Sequence, residues 1–360
     1  MTARAAATTI APAIAEMAAS GPAIAGTPAT ESIPPIAGRV LVTGGAGFIG
    51  SALVRRLGGE GATVRVLDDL SIGQRAYLDG QPCELVVASL ADPAAVEAAV
   101  AGCDAVVHLA ARAGIPDSVT DPLGTFDANV TQALGVLDAA RRAGVRRFIL
   151  ASSNAVLGPH EPPADETVLP HPSSPYGASK LAGEAYVSAY AATYGMAACA
   201  LRFSNAYGPR SLHKKSVVAA WLRSALRGGP VTIHGDGEQT RDFVHVDDLA
   251  AALVAALRAP EERVAGAVFQ VGTGQETTVN ELAVALEAAL GQPLEVRREP
   301  ASAGDVLRNA SRVERAAELL GWRAAIGLAD GLRETAAWFA AALRDPALAS
   351  VTPDARSGSE

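Results

Sequence analysis

The sequence predicts a doubly wound α/β fold, and three observations carry that expectation. Short β-branched runs alternate with Ala-rich stretches of helical length. The runs are apolar almost throughout, so they belong to a parallel sheet covered on both faces rather than to a half-exposed one. A glycine cluster follows the first run immediately, where a strand must turn sharply into a helix. The 360 residues suffice for one large α/β domain with a smaller appendage.

Each element can be justified in order. The runs RVLVT (39–43), TVRVL (63–67), ELVVA (84–88), DAVVHLA (104–110), RRFILAS (146–152) and AACALRF (197–203) read as buried strands. Helices are expected over 126–143 and 176–194, with right-handed crossovers. After Asn205 the texture changes, and Gly and Pro punctuate 206–241. A helix over 247–258 and a strand over 267–271 are expected to rejoin the sheet. Helices and a short strand near 294–298 fill the remainder. The expected division is therefore a sheet domain over 38–205 joined by 241–273. A smaller C-terminal lobe, from 206–240 and 274–343, closes over the carboxyl edge of the sheet. Residues 1–37 are rich in Ala, Thr and Pro, nearly uncharged and without aromatics, and read as a disordered extension. The polar tail 344–360 reads as mobile.

Composition narrows the function. Apolar residues make up 49% and aromatics 4%, so Ala, Val and Leu must fill the core. A formal net charge of −8 with no basic block argues against nucleic acid or an anionic membrane surface as partner. An anionic ligand must then be held locally, by a few basic residues and backbone N–H groups. Cys83, Cys103 and Cys199 are odd in number and lack CxxC spacing, so each reads as a small apolar residue. Neither a disulfide framework nor a metal site is expected, and a reducing cytoplasm fits. No apolar run reaches 18 residues, so no transmembrane helix is expected.

The glycine cluster carries the first chemistry. Gly44, Gly47 and Gly50 form GxxGxxG between the first strand and a helix opening at Phe48. The first glycine permits a tight turn, the second lets a pyrophosphate approach the backbone, and the third lets helix and strand pack closely. The helix N-terminus adds N–H groups and a positive dipole end. This is the Rossmann-type arrangement for a dinucleotide. Asp68, 18 residues after Gly50 at the end of the second strand, would accept bonds from ribose hydroxyls and repel a 2′-phosphate. NAD is therefore expected over NADP.

Tyr176 and Lys180 are four residues apart, on one face of a helix. An ammonium beside a phenol stabilises the phenolate, so Tyr176 can serve as a base near neutrality, helped by an oxidised nicotinamide. Ser153 ends the preceding strand, at the edge where open α/β sheets bind ligands. Its hydroxyl can hold a reacting substrate oxygen and share a proton.

With these pieces in place the chain resembles the extended short-chain dehydrogenases/reductases of the nucleotide-sugar epimerase/dehydratase group. The resemblance spans roughly residues 39–340. It rests on LVTGGAGFIGS (41–51), LDDLS (67–71), HLAA (108–111), SSNAVLG (152–158), SPYGASK (174–180), RFSNAYGPR (202–210), GDGEQTRDFVHVDDLA (235–250) and LGW (320–322). It implies that Phe48 and Ile49 lie over the pyrophosphate and that Ser89 and Leu90 border the adenine. It also implies that Ala110 and Ala111 border the nicotinamide ribose and that Asn129 lies near the cofactor pocket. For the substrate it implies Asn205 and Arg241 on the sugar-nucleotide diphosphate and Asp305 on the nucleoside ribose or in lobe closure. Asn309 falls where such enzymes set pocket volume. Homodimers are common in the group.

Several positions depart from the group's pattern. Ser89 replaces an aspartate near the adenine, and Leu157 replaces a tyrosine. Ser302 stands where an arginine is common, with Arg308 or Lys215 as substitutes, and Ser311-Arg312 replaces an Ala-Asp pair. The related 4,6-dehydratases carry Asp-Glu where this chain has Asn154-Ala155, and the sugar-acid decarboxylases carry glutamate at 155. What remains is the Ser/Tyr/Lys set, which suffices for C4 epimerisation. The resemblance therefore implies oxidation at C4 to a 4-keto sugar, rotation of the sugar, and reduction from the other face. The leading substrate is a UDP-hexose, UDP-glucose or UDP-galactose. The alternatives are UDP-glucuronate or UDP-N-acetylglucosamine and, in another class, a non-catalytic NAD-binding regulator.

Overall fold

The computed structural model describes residues 38–301 and 307–350. The expectations for 1–37 and 351–360, and for Asp305, lie outside the described residues. Thirteen strands are described: β1 (Arg39–Thr43), β2 (Thr63–Asp68), β3 (Cys83–Val87), β4 (Ala105–His108), β5 (Arg147–Ser153), β6 (Ala197–Phe203), β7 (Asn205–Tyr207), β8 (Val231–His234), β9 (Thr240–Arg241), β10 (Phe243–His245), β11 (Val268–Val271), β12 (Thr277–Thr278) and β13 (Val296–Glu299). Seven of them form one sheet in the order β11-β6-β5-β4-β1-β2-β3. Every pairing within it is parallel. The strand order reverses between β1 and β4, and a ligand crevice opens at the carboxyl ends of strands flanking such a switch point. β11 joins the sheet beside β6, as expected for 267–271.

Both faces of the sheet are covered, which is why its strands are apolar throughout. One face packs Val40, Val42, Ile149 and Leu201 against the helices Phe48–Gly59 and Val246–Arg258. The other packs Leu41, Val106 and Leu150 against Val136, Leu137 and Val187. A separate cluster holds Tyr207, Trp221, Phe243, Leu282 and Phe339. It draws on the helices Val217–Leu226, Val279–Leu290 and Leu328–Ala342. Three two-stranded pairs serve that region: β10 with β7, β12 with β9, and β13 with β8. The segment carrying Ala316 and Trp322 packs instead on the face of the large sheet. There the Trp322 indole donates to the Asp248 carbonyl at 3.1 Å.

Two expectations need correction. The helix expected over 126–143 is not continuous. Pro122–Phe126 and Gln132–Arg142 are α-helical, but Asp127–Thr131 is a π turn. A π turn inserts one extra residue and re-aims a side chain, and here it carries Asn129. The tail is also not featureless from 344. Pro346–Ala349 forms a short helix capped by Asp345, and Leu348 packs on the cluster around Phe339.

Candidate active site

The glycine turn has the features a dinucleotide cradle needs. Gly44 has φ +68°, and a Cβ there would sit 2.8 Å from the Ala110 nitrogen. A Cβ at Gly50 would sit 2.1 Å from the Gly44 carbonyl oxygen. Gly50 therefore serves close packing, as its place in the motif predicts. Gly47 meets only that same oxygen, at 3.2 Å, so its outer side is open to a ligand. The N-terminus of the Phe48–Gly59 helix receives no side-chain cap, which leaves its amides for an anion.

Asp68 ends β2 and is buried. Its carboxylate accepts from the Ala46 and Leu70 amides, each at 2.9 Å. Burial raises its pKa, the two amides pull it back, and Asp69 raises it further. Lone pairs of this carboxylate face the glycine turn, where a ribose diol would donate to them. We expect NAD to bind cofactor-free protein roughly tenfold or more tightly than NADP, since a 2′-phosphate would meet this charge. Calorimetry checks this, and tighter binding of NADP would refute the role of Asp68.

The other expected cofactor positions differ in their surroundings. Ala110 and Ala111 are half-buried just beyond β4. The Ala110 amide points at the Thr43 hydroxyl, 3.4 Å away. Asn129 is committed to the protein. Its amide oxygen accepts from Arg112 N at 2.8 Å, and its amide nitrogen donates to Arg112 O and Ser179 Oγ, both at 3.0 Å. It therefore ties the loop after β4 to the helix bearing Tyr176. Ser89 is exposed and closes a turn through Ala91 N at 3.2 Å, with Leu90 half-buried beside it.

The Pro175–Tyr194 helix is capped by Ser174 and started by Pro175, which fixes Tyr176 in its first turn. Ser153 closes β5 beside the Tyr176 hydroxyl, and its own hydroxyl accepts from the Ala155 amide at 3.2 Å. Burial holds the Tyr176 hydroxyl above the usual phenol range, and Ser153 lowers it. Lys180 Nζ lies 5.9 Å from the centre of the Tyr176 ring and donates to the Ala151 carbonyl at 2.9 Å. Burial pushes Lys180 down to about 8, and Glu184 partly restores it. The ammonium is near enough to the ring to add positive charge beside the phenol. The cationic nicotinamide of a bound oxidised cofactor supplies the additional positive charge that favours the phenolate.

Groups that sequence reasoning missed hold this constellation. Glu184 is buried against Arg202 through bonds of 2.9 and 2.8 Å, and the Ser152 hydroxyl donates to it at 2.5 Å. This pair locks the Tyr176 helix to β5 and β6. Its signal was a glutamate one turn after Lys180, on the same helix face. His108 accepts from or donates to the Thr43 hydroxyl at 2.8 Å across the switch point. Burial, with Lys180 nearby, lowers His108 to about 3, so the ring stays neutral.

The expected substrate residues converge on one edge. Asn205 begins β7 and pairs with Phe243, two residues after Arg241. The Asn205 backbone N–H donates to the Asp242 carbonyl at 2.9 Å. Arg241 is half-buried and donates to the Thr240 carbonyl at 2.8 Å. Asn309 joins them: its backbone amide approaches Thr240 Oγ1 at 3.4 Å and its side-chain oxygen lies 3.4 Å from Asn154 Nδ2. The missed organiser is Asp242, fully buried, whose carboxylate accepts from Thr273 N at 2.8 Å, Thr273 Oγ1 at 2.7 Å and Gly274 N at 3.1 Å. Arg308 and Lys215, the expected stand-ins for the arginine lost at 302, are paired with Glu276 and Asp117.

Comparison with known proteins agrees with this geometry. The model of the NAD dependent epimerase/dehydratase family matches residues 40–272. The UDP-glucose 4-epimerase of Mycolicibacterium smegmatis is 40% identical over 315 residues, covering 84% of this chain and 98% of its own. The structure of UDP-glucose 4-epimerase from Thermotoga maritima with UDP-glucose is 36% identical, with a TM-score of 0.80 over 85% of this chain and 99% of that one. The structure of a dTDP-glucose 4,6-dehydratase from Streptomyces venezuelae with NAD is 32% identical, with a TM-score of 0.80 over 86% and 99%. A glycine cradle of the required shape, an acidic ribose acceptor and a Ser/Tyr/Lys set at one sheet edge thus coincide with similarity along most of the sequence: the chain belongs to the NAD dependent epimerase/dehydratase family.

Proposed function

We propose that the chain inverts C4 of a UDP-hexose, with UDP-glucose and UDP-galactose as the leading pair. The observation that carries this reading is Ser153 at the carboxyl end of β5 together with Tyr176 in the first turn of the next long helix, Lys180 Nζ 5.9 Å from its ring, and Asn154-Ala155 where a dehydratase needs acid and base. NAD, held by the glycine turn and Asp68, would supply the hydride acceptor and donor at C4. Tyr176 takes the C4 hydroxyl proton and returns it after the sugar has turned. Ser153 holds the reacting oxygen, and Lys180 steadies the phenolate. Asn205 and Arg241 anchor the diphosphate while the hexose pivots, and Asn309 bounds the pocket. Such returning use leaves the cofactor unchanged overall, as in a prosthetic group.

The same reading includes a smaller lobe over 206–240 and 274–343 that closes on the substrate, with the chain acting in the cytoplasm. Among the described residues, no helix is long and apolar enough to cross a membrane. A homodimer through the helices around 122–142 and 175–194 is supported by the exposed Leu123, Phe126, Tyr186 and Tyr194. NMR of products from UDP-glucose, UDP-galactose, UDP-glucuronate and UDP-N-acetylglucosamine tests the reaction. We expect C4-inverted product from UDP-glucose. Inversion of only the uronate or the N-acetyl sugar would move the substrate assignment, and no turnover of any would favour a regulator.

A further inference from the structure

The loop 208–216 follows β7 and is held firmly at several points. Ser211 Oγ donates to the Gly208 carbonyl at 2.6 Å, and Leu212 is fully buried. The buried Arg223 guanidinium grips the Leu212 and Lys214 carbonyls at 2.7 and 2.6 Å. Lys215 Nζ reaches Asp117 at 2.8 Å, on the short helix Ile115–Thr120. Lys214 is thereby aimed by a fixed backbone. Its Nζ lies 5.0 Å from the centre of the Phe48 ring, over the first residue of the helix that follows the glycine turn.

Among the described residues, this ammonium has no hydrogen-bond acceptor and no carboxylate partner. Lys215, its neighbour, has one. Burial pushes Lys214 down to about 8, with no nearby acid to restore it. Lys214 is half-buried, and its contact with the Phe48 face offsets part of the hydration it loses. The helix end beneath it is also uncapped. Two positive features thus converge on one place with no counter-charge, and an anion there would satisfy both.

We propose that Lys214 is a cofactor anchor: its ammonium binds the dinucleotide pyrophosphate from the side opposite the glycine turn, so that loop 208–216 straps the cofactor into its crevice. This inference rests on the family's NAD occupying the glycine cradle. It gives the strap a purpose, because an enzyme that must return the same hydride has to retain its cofactor between half-reactions. Lys214→Met keeps the apolar stem and removes the charge, and Lys214→Arg keeps the charge.

The test measures NAD affinity by calorimetry and adenosine affinity by NMR titration on cofactor-free, full-length chain. Adenosine lacks the pyrophosphate. We expect Lys214→Met to weaken NAD roughly 10- to 100-fold, the scale of a charge-assisted bond, and to leave adenosine unchanged. Lys214→Arg should recover most of the NAD affinity, and Lys215→Met should fall well short of the Lys214→Met effect. Unchanged NAD affinity in Lys214→Met would overturn the proposal. So would equal weakening of NAD and adenosine, which marks a loop that has merely lost its packing. If Lys214→Met does not fold, Lys214→Gln takes its place with the same two readouts. Failure of the unsubstituted chain to bind NAD at all would instead overturn the reading of the cradle.

Discussion

Tyr176→Phe should lower turnover by about 10²–10⁴-fold, the range for removing a general base, while the protein keeps its fold and its NAD. The ring stays in place and only the proton acceptor goes. Ser153 keeps the Ala155 amide, 3.2 Å away. Lys180→Met should be comparably severe for a different reason. Burial already holds Tyr176 above the usual phenol range. Removing the ammonium 5.9 Å from its ring takes away positive charge that favours the phenolate. The sign follows directly: the active form is the deprotonated tyrosine, so activity rises with pH through its pKa. In Lys180→Met that rise should move to higher pH, and raising the pH should recover part of the lost rate. Ser153→Ala should be milder, because Tyr176 can take over part of its contact with the sugar oxygen. Rates against pH for the three variants check this. Full epimerase activity in Tyr176→Phe would refute the mechanism, and an unshifted profile in Lys180→Met would remove Lys180 from it.

The sheet was legible because its signals are local and periodic. Each of the six strand runs overlaps the strand described, with ends that agree within two residues, a common scatter for element ends. The glycine spacing announces itself within seven residues. What escaped depends on partners far along the chain. Glu184 reads as an ordinary charged position on a helix until β6 brings Arg202 against it. Asp242 reads as part of a polar run until the loops at 273–274 and 311 close over it. The π turn at Asn129 is likewise invisible to a 3.6-residue period. It exists because Asn129 has to reach both Arg112 and Ser179. The surroundings of Arg308 and Lys215, the possible substitutes for the missing arginine, escape for a related reason. A sequence shows the positive charge of Arg308 and Lys215 but not the carboxylates that already face them.

Incubation with UDP-glucose in deuterated water should give a C4-inverted sugar with no deuterium at C4 or C5 and no 6-deoxy-4-keto product. Elimination of water needs a base at C5 and an acid at the C6 oxygen. The dehydratases of the group carry Asp-Glu for this, and here those positions hold Asn154 and Ala155. The structure strengthens the argument, because Asn154 is not a spare polar group beside the sugar. It is buried, and its amide donates to Ser204 Oγ at 3.0 Å and Ser311 Oγ at 2.8 Å. Those hydroxyls also contact each other at 2.9 Å, and Ser204 lies 3.3 Å from Asp242. An amide suits this place as a donor. A carboxylate would have to reverse the bonding beside a second carboxylate, so Asn154→Asp should be destabilising as well as poorly placed for catalysis. Ala155 has no proton to exchange. Each absent acid or base forfeits about 10²–10⁴-fold, so dehydration should stay below detection while epimerisation proceeds. The competing outcome is distinct, since a dehydratase exchanges the C5 hydrogen with solvent. Deuterium at C5, or a 6-deoxy-4-keto sugar, would show that another group supplies the proton path and would overturn the assignment to C4 epimerisation.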